Sequence, residues 1–313
     1  MAHSEFWRIV RRAAWARMTG GEAERREWRR RMAFLLLEGD ADSLSFRRDA
    51  VTWTVPVSQD AVTRNLYVHG RYQDRDVERV LAWVRTRPVL QERTWFVDLG
   101  ANVGTPSIQL ARAAPERRIL AVEPAPRNFE CLCANVQANG LAERVFPVRA
   151  AVAAAPGKLV LCLHPQLGRC EIAESGGVQG FGSAADLPRV EVPACSLASL
   201  LAERQVAPEE VGLVWSDTQG YEREVIAGGE ALWRAGAPLF LELWPRGLGA
   251  HGGVAAFLAA AGRCFRGFVS EEDLARTPFP APRPIGELAA RLGALEGNAH
   301  TDALLVPERA EAV

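Results

Sequence analysis

Lysine is nearly missing from this chain of 313 residues: Lys158 is the only one among 37 basic residues. The list of possible lysine bases is therefore almost empty. The formal net charge is −1, and nothing in that balance calls for nucleic acid or an anionic membrane as partner. Long apolar runs are also missing. Met32-Ala-Phe-Leu-Leu-Leu37 is too short to span a bilayer and is ended by Glu38. The first apolar run lies too far in, with no small-residue cleavage pattern after it, for a secretory signal. The six cysteines (Cys131, Cys133, Cys162, Cys170, Cys195 and Cys264) form no C-x-x-C pair and no framework spacing. They read as buried thiols in a reducing compartment, so the expected location is cytoplasmic. Cys162-x-His164 with Cys170 is outweighed as a metal half-site by ordinary packing, and no metal site is expected. Repeats are absent. So are a G-x-G-x-x-G dinucleotide fingerprint and a G-x-x-x-x-G-K-[ST] phosphate loop.

What is present centres on Trp95-Phe-Val-Asp-Leu-Gly-Ala-Asn-Val-Gly104. Trp95 to Val97 has the length and residue types of a strand buried on both faces. It breaks at Asp98 into a turn whose glycines, Gly100 and Gly104, let the backbone pass close to a ligand. Thr105 then reads as an N-cap and Pro106 as a first helical position. A carboxylate at the strand tip sits where a nucleotide phosphate would want neutral donors. It suits a cationic ligand such as S-adenosylmethionine (SAM). The next apolar run, Ile119 to Val122, ends on Glu123, at the distance where a Rossmann-like fold places its ribose-binding acid.

The rest of the chain supports an α/β architecture. Residues 1–38 read as two helices about Gly20-Gly21, with Trp28, Met32, Leu35 and Leu36 sharing a face of the second. They suggest a homodimer arm or a substrate cap, or simply packed helices with solvated arginines. Val51 to Val57 alternates as a half-buried strand. A helix is expected with Val77, Val80, Leu81 and Val84 on one side, stopping near Pro88. Another runs from Pro126 to Gly140. Further strands are expected at Val145–Val148, Val211–Ser216, Pro238–Leu243, Phe265–Val269 and Ala303–Val306. Ser175 to Gly182 is a glycine-rich loop, with residues 175–183 read as a mobile lid, and residues 277–284 read as a proline-rich surface loop. The division expected is an N-terminal helical extension with a leading strand over 1–58 and a catalytic domain over 59–313. Alternating strands and helices imply a mainly parallel sheet wrapped on both faces, with ligand at the carboxyl ends of its strands. Asp98, Glu123, Asp217 and Glu242 all fall there.

Several stretches resemble the FkbM-type methyltransferases, a bacterial family of SAM-dependent O-methyltransferases. The residues that carry the likeness are Gly70-Arg-Tyr72, Asp98 to Gly104, Glu123-Pro-Ala-Pro-Arg-Asn-Phe129 with Asn135 and Asn139, and Asp217-Thr-Gln-Gly-Tyr-Glu222. The resemblance covers about residues 60–245 and implies the Rossmann-like class I SAM-methyltransferase fold. That fold is a seven-stranded, mostly parallel sheet with helices on both faces, its last strand antiparallel. By the same likeness Asp98, Gly100, Asn102 and Gly104 frame the methionine moiety of SAM and Glu123 holds the ribose. Tyr72, Pro124 and Ala151 complete the implied cofactor contacts. Two departures stand out. Trp215-Ser216 precedes the second motif where lysine or isoleucine is common, and Gln73 follows Tyr72 where an acid is common.

The expected reaction is methyl transfer to a hydroxyl of a sugar or other biosynthetic small molecule. An aliphatic hydroxyl is about as weakly acidic as water, so a general base is expected to help. The candidates are Asp217, Glu242 and His69, with His164 and His251 behind them. Asp217 alternatively caps the helix after Gly220, and Glu222 more simply ties down that helix start. Trp215, Tyr221 and Trp244 either stack on a substrate at the mouth or pack in the core. Base methylation of nucleic acid is disfavoured, because no Asn/Asp-Pro-Pro-aromatic tip and no Pro-Cys nucleophile is present. The alternatives left open are nitrogen- or protein-directed methylation, a nicotinamide oxidoreductase on a related sheet, and a SAM-fold module without turnover.

Overall fold

The computed structural model describes residue 11 and residues 21–37, 40–58, 61–164, 169–172 and 187–311. The expected first N-terminal helix, residue 11 apart, and the expected lid at 175–183 lie outside these. The described residues fall into two compact units. One reaches Tyr72 and takes in His164 and Arg169; the other runs from Gln73 to Leu163 and from Cys170 onward.

In the first unit a helix, Glu22–Leu36, precedes a hairpin of β1, Ser43–Arg48, and β2, Val51–Pro56. Asp49 and Ala50 turn the hairpin with φ of 47° and 64°, the positive pair that a two-residue turn between twisted strands requires. A helix that the sequence reading did not anticipate, Ala61–His69, follows. The apolar face of Glu22–Leu36 differs from expectation: Phe34 is buried, whereas Leu36 is 67% exposed. Phe34 sets the phase because its ring meets Tyr67 at 5.5 Å, four residues beyond Arg30, which donates to Val68 O at 3.0 Å.

The second unit is built on β3, Trp95–Leu99; β4, Arg118–Val122; β5, Val145–Val148; β6, Ala151–Val152; β7, Gly157–His164; β8, Arg169–Ile172; β9, Arg189–Cys195; β10, Val211–Ser216; β11, Leu239–Leu243; β12, Gly267–Ser270; β13, Arg283–Pro284; and β14, Thr301–Val306. The main sheet has the order β13-β12-β14-β11-β10-β3-β4-β5. From β11 to β5 all neighbours are parallel, and β14 runs antiparallel to both β11 and β12. This is the class I SAM-methyltransferase order with one strand more than expected. The addition is β13, which lies in the supposed surface loop and pairs with Gly267 and Phe268. An edge position tolerates Pro284 because no ladder donor is needed on its outer side. A smaller sheet of order β6-β9-β7-β8 accompanies the main one.

β3 and β10 are buried along their whole length, as strands covered on both faces must be. Val97 and Leu99 enter a large core cluster with Val214, Leu239 and Phe257. The alternation of a strand puts Phe96 and Asp98 on the other face. Helix Asp74–Arg85 buries Val77, Val80, Leu81 and Val84 as expected. Helix Thr105–Ala113 begins one residue earlier than expected, so Gly104, not Thr105, takes the cap position, with φ 92°. The chain reverses there so tightly that a Cβ on Gly104 would lie 2.7 Å from Leu132 Cδ1.

Candidate active site

The site is assembled at the carboxyl ends of β3, β4, β10 and β11. Asp98 is fully buried at the tip of β3, where its Oδ2 accepts from Ser107 Oγ on the following helix. Its Oδ1 is also buried and has no partner among the described residues. Burial pushes the Asp98 carboxyl up to about 7, against the pull of Ser107 and with a further push from Asp217.

Glu123, one residue past β4, turns both oxygens to main-chain donors. Oε2 accepts from Asn102 N and Oε1 from Ala125 N, each at 2.8 Å. Burial again dominates and pushes this carboxyl up to about 7. Asn102 sits at φ 52° and Gly100 at 75°, so the glycine loop curls back over the tip of β4. Gly100 N and Ala101 N both donate to Val122 O, at 2.9 and 3.0 Å. Gly100 must lack a side chain, since a Cβ there would lie 1.9 Å from Asp217 O. Asn135, fully buried on helix Pro126–Ala138, donates to Val103 O at 2.8 Å and braces the loop from below.

Asp217 follows β10, and its main-chain N–H donates to Leu99 O at 2.9 Å, which joins this tip to that of β3. Gln219 Nε2 donates to Asp217 Oδ1 at 2.6 Å and to Glu242 Oε1 at 3.3 Å. Tyr221, not Asp217, precedes helix Glu222–Gly228, and it makes no side-chain cap bond. Glu222 closes that turn instead, accepting from Thr218 Oγ1 and Gly220 N at 3.1 Å each. Glu242 at the end of β11 stands opposite Asp302 of β14. Burial, and then Glu271, Asp76 and Asp217, push Asp302 up to about 8.

The other expected residues fall as follows. Pro124 is half-buried beside Glu123, and Ala151 is buried in β6, packed with Ala125, Leu161 and Val192. His69 is exposed at the end of its helix and Tyr72 is half-buried. Both belong to the first compact unit. His251 is 4% exposed and packs edge-on against Tyr221 at 4.9 Å. Trp215, Tyr221 and Trp244 are buried, so they serve the core; Trp215 meets Phe240 with the rings tilted and their centroids 4.2 Å apart. Ser107, Gln219 and Asp302 were not singled out from the sequence. Gln219 alone left a signal, as a side-chain amide inside an acid-rich motif.

The model of the methyltransferase FkbM domain matches residues 98–264, from Asp98 to the end of helix Gly253–Cys264. The chain belongs to the FkbM methyltransferase family. It is a SAM-dependent methyltransferase. This FkbM methyltransferase is similar to methyltransferase sdnD of Sordaria araneosa, with 27% identity over 184 residues, 51% of this chain and 70% of that protein. Among solved structures, M. jannaschii TYW2 in complex with AdoMet aligns over 86% of this chain and 87% of that one, at 13% identity and a TM-score of 0.41. Cofactor-bound Rv0187 from MTB covers 94% of each chain at 16% identity and 0.39. The fold follows from the strand order and the family match.

The second unit of this FkbM methyltransferase fits the cofactor. Two buried acids with raised proton affinity, one with an orphaned oxygen, require a cation and donors nearby if they are to ionise. SAM brings both, in its ammonium, sulfonium and ribose hydroxyls. Among the described residues no group of three or more His, Cys, Asp or Glu is arranged to hold a metal ion.

Proposed function

We propose that this enzyme methylates a hydroxyl oxygen of a small molecule or glycan, with Asp217 as general base. The observation that carries the reading is the place of Asp217. It emerges from β10 beside the cofactor loop, its N–H held by Leu99 O, and its charge acts on both Asp98 and Glu123. Asp98, Gly100, Asn102 and Gly104 would hold the methionine end of SAM, and Glu123 the ribose. SAM supplies an electrophilic methyl group. The remaining task for the protein is to align the acceptor oxygen, exclude water and take the proton that the hydroxyl gives up. Asp217 offers a carboxylate oxygen for that proton at a fixed place among the strand tips.

The test starts from a strain lacking the gene. Its metabolite extract is incubated with the purified enzyme and SAM carrying a deuterated methyl group. A labelled product with an O–CD3 carbon shift is expected. Label on nitrogen or on protein, or reduction of a nicotinamide cofactor in place of methylation, overturns the reading.

A further inference from the structure

Gln219 has no task in the mechanism so far, yet its geometry is specific. It holds φ 55° and is followed by Gly220 at φ 106°. The left-handed region is disfavoured for a non-glycine residue, so this turn is maintained against local preference. It brings the amide back over the ends of β10 and β11, which are paired strands. There Nε2 spends its two hydrogens on two carboxylates, Asp217 and Glu242. The orientation of the amide follows from the chemistry, since the reverse would set its oxygen against both anions. Oε1 lies buried and accepts nothing from a described residue.

The charged groups around Asp217 are chiefly acids. Asp98 on β3, Glu123 after β4, Glu222 on the following helix and Asp302 on β14 all feel its charge. Glu242 on β11 is tied to it through the amide, and the exposed His300 stands 3.8 Å from the far oxygen of Glu242. A lysine or arginine at position 219 would fasten the two acids more strongly but would lower the proton affinity of each. An acid there would add a further negative charge. A neutral amide fastens them and adds no charge of either sign.

We infer that Gln219 is a positioning residue, whose amide bridges Asp217 and Glu242 and fixes the Asp217 carboxylate without neutralising it. The inference rests on Asp217 being the base. Its test uses the full chain loaded with S-adenosylhomocysteine and labelled with carbon-13 at the aspartate side-chain carboxyls. NMR follows the titration, and Asp217→Asn assigns the resonance. In Gln219→Met, close in shape but without donors, the Asp217 midpoint rises by about one pH unit as the charged form loses its hydrogen bond. In Gln219→Glu it rises further, and in Gln219→Arg it falls. The rise in the uncharged Gln219→Met is what a mere spacer would not produce. With tritium-methyl SAM and the deletion-strain extract as acceptor source, Gln219→Met loses up to about 10²-fold in turnover through misplacement of the base. Affinity for S-adenosylhomocysteine stays at the parent value. A parental Asp217 midpoint in Gln219→Met overturns the bridge. If that variant does not fold, the same midpoint comparison in Gln219→Leu, also uncharged and without donors, decides. Full turnover in Asp217→Asn overturns the base and the bridge together, whereas an inactive Asp217→Asn beside an unshifted Gln219→Met removes only the bridge.

Discussion

The main-chain N–H of Asn102 donates to Glu123 Oε2 at 2.8 Å, so the tip of the glycine loop is fastened to the acid of the next strand. One side chain thus shapes the loop, and in the proposed function it also holds the ribose. Glu123→Ala is expected to weaken SAM binding by roughly 1–3 kcal/mol, as paired donors lose their acceptor. Glu123→Gln keeps one acceptor oxygen and should fall between Ala and the parent. Calorimetric titration with SAM and S-adenosylhomocysteine measures both, and parental affinity in Glu123→Ala removes Glu123 from the site.

Asp98 and Glu123 each titrate near 7 because burial disfavours their charge. The folded state therefore keeps protons that the unfolded chain, with carboxyl values of about 4, has released. Their stabilising contribution is complete below about pH 4 and is lost as pH rises through about 7. Asp273, held low by its hydrogen bonds to Arg283, changes only below that window. The melting temperature of the ligand-free enzyme should fall between pH 4 and pH 7 less steeply in Asp98→Asn than in the parent, by about 2–4 °C for each kcal/mol recovered. The same variant should lose SAM affinity. Equal slopes would show that Asp98 is not buried as a proton-holding acid.

Gly100→Ala forces a Cβ to within 1.9 Å of Asp217 O at a φ of 75°. No flexible side chain can yield there, because the obstacle is main chain. The expected result is a loss of about 1–3 kcal/mol in stability from backbone strain, together with weaker SAM binding. Gly140→Ala is the control: its φ is also positive, at 66°, but no atom lies within 4 Å of the added carbon. Chemical denaturation should separate the two. Equal losses would mean that φ alone, not the approach of β10, explains the glycine.

Asp217→Asn keeps shape while removing basicity. Turnover should drop roughly 10²–10⁴-fold, with SAM affinity and melting temperature close to the parent's. EDTA should leave the parent's activity intact, since Asp217 and Glu242 are bridged by an amide instead of being arranged around a shared ion. Activity abolished by EDTA and restored by magnesium would replace this mechanism.

Much of the frame was legible without coordinates. The apolar run before Asp98, the glycines after it and the second acid at Glu123 are local patterns, and local patterns dictate strand, turn and helix. The expectation that Val211–Ser216 lies beside Trp95–Val97 is met by direct parallel pairing. The helix Ala61–His69 was missed because only Thr63, Leu66 and Val68 are buried along it, too thin a stripe to show above its polar neighbours. Trp215, Tyr221 and Trp244 carry no mark in the sequence that separates a stacking ring from a core one; burial decided for the core.

The sequence by itself determined the central strands and the helices between them, the family motifs and the acids at the strand tips, because each depends on neighbours a few residues away. Tertiary structure alone decided which polar groups meet. Asp98 finds Ser107 on the next helix, Glu123 finds Asn102 across 21 residues, and Gln219 spans to Glu242 across 23. Asp302 faces Glu242 only because β14 folds back antiparallel to β11. Such pairings, and the burial that raises the proton affinity of these acids, are set by how whole strands and helices pack, which spacing along the chain does not encode.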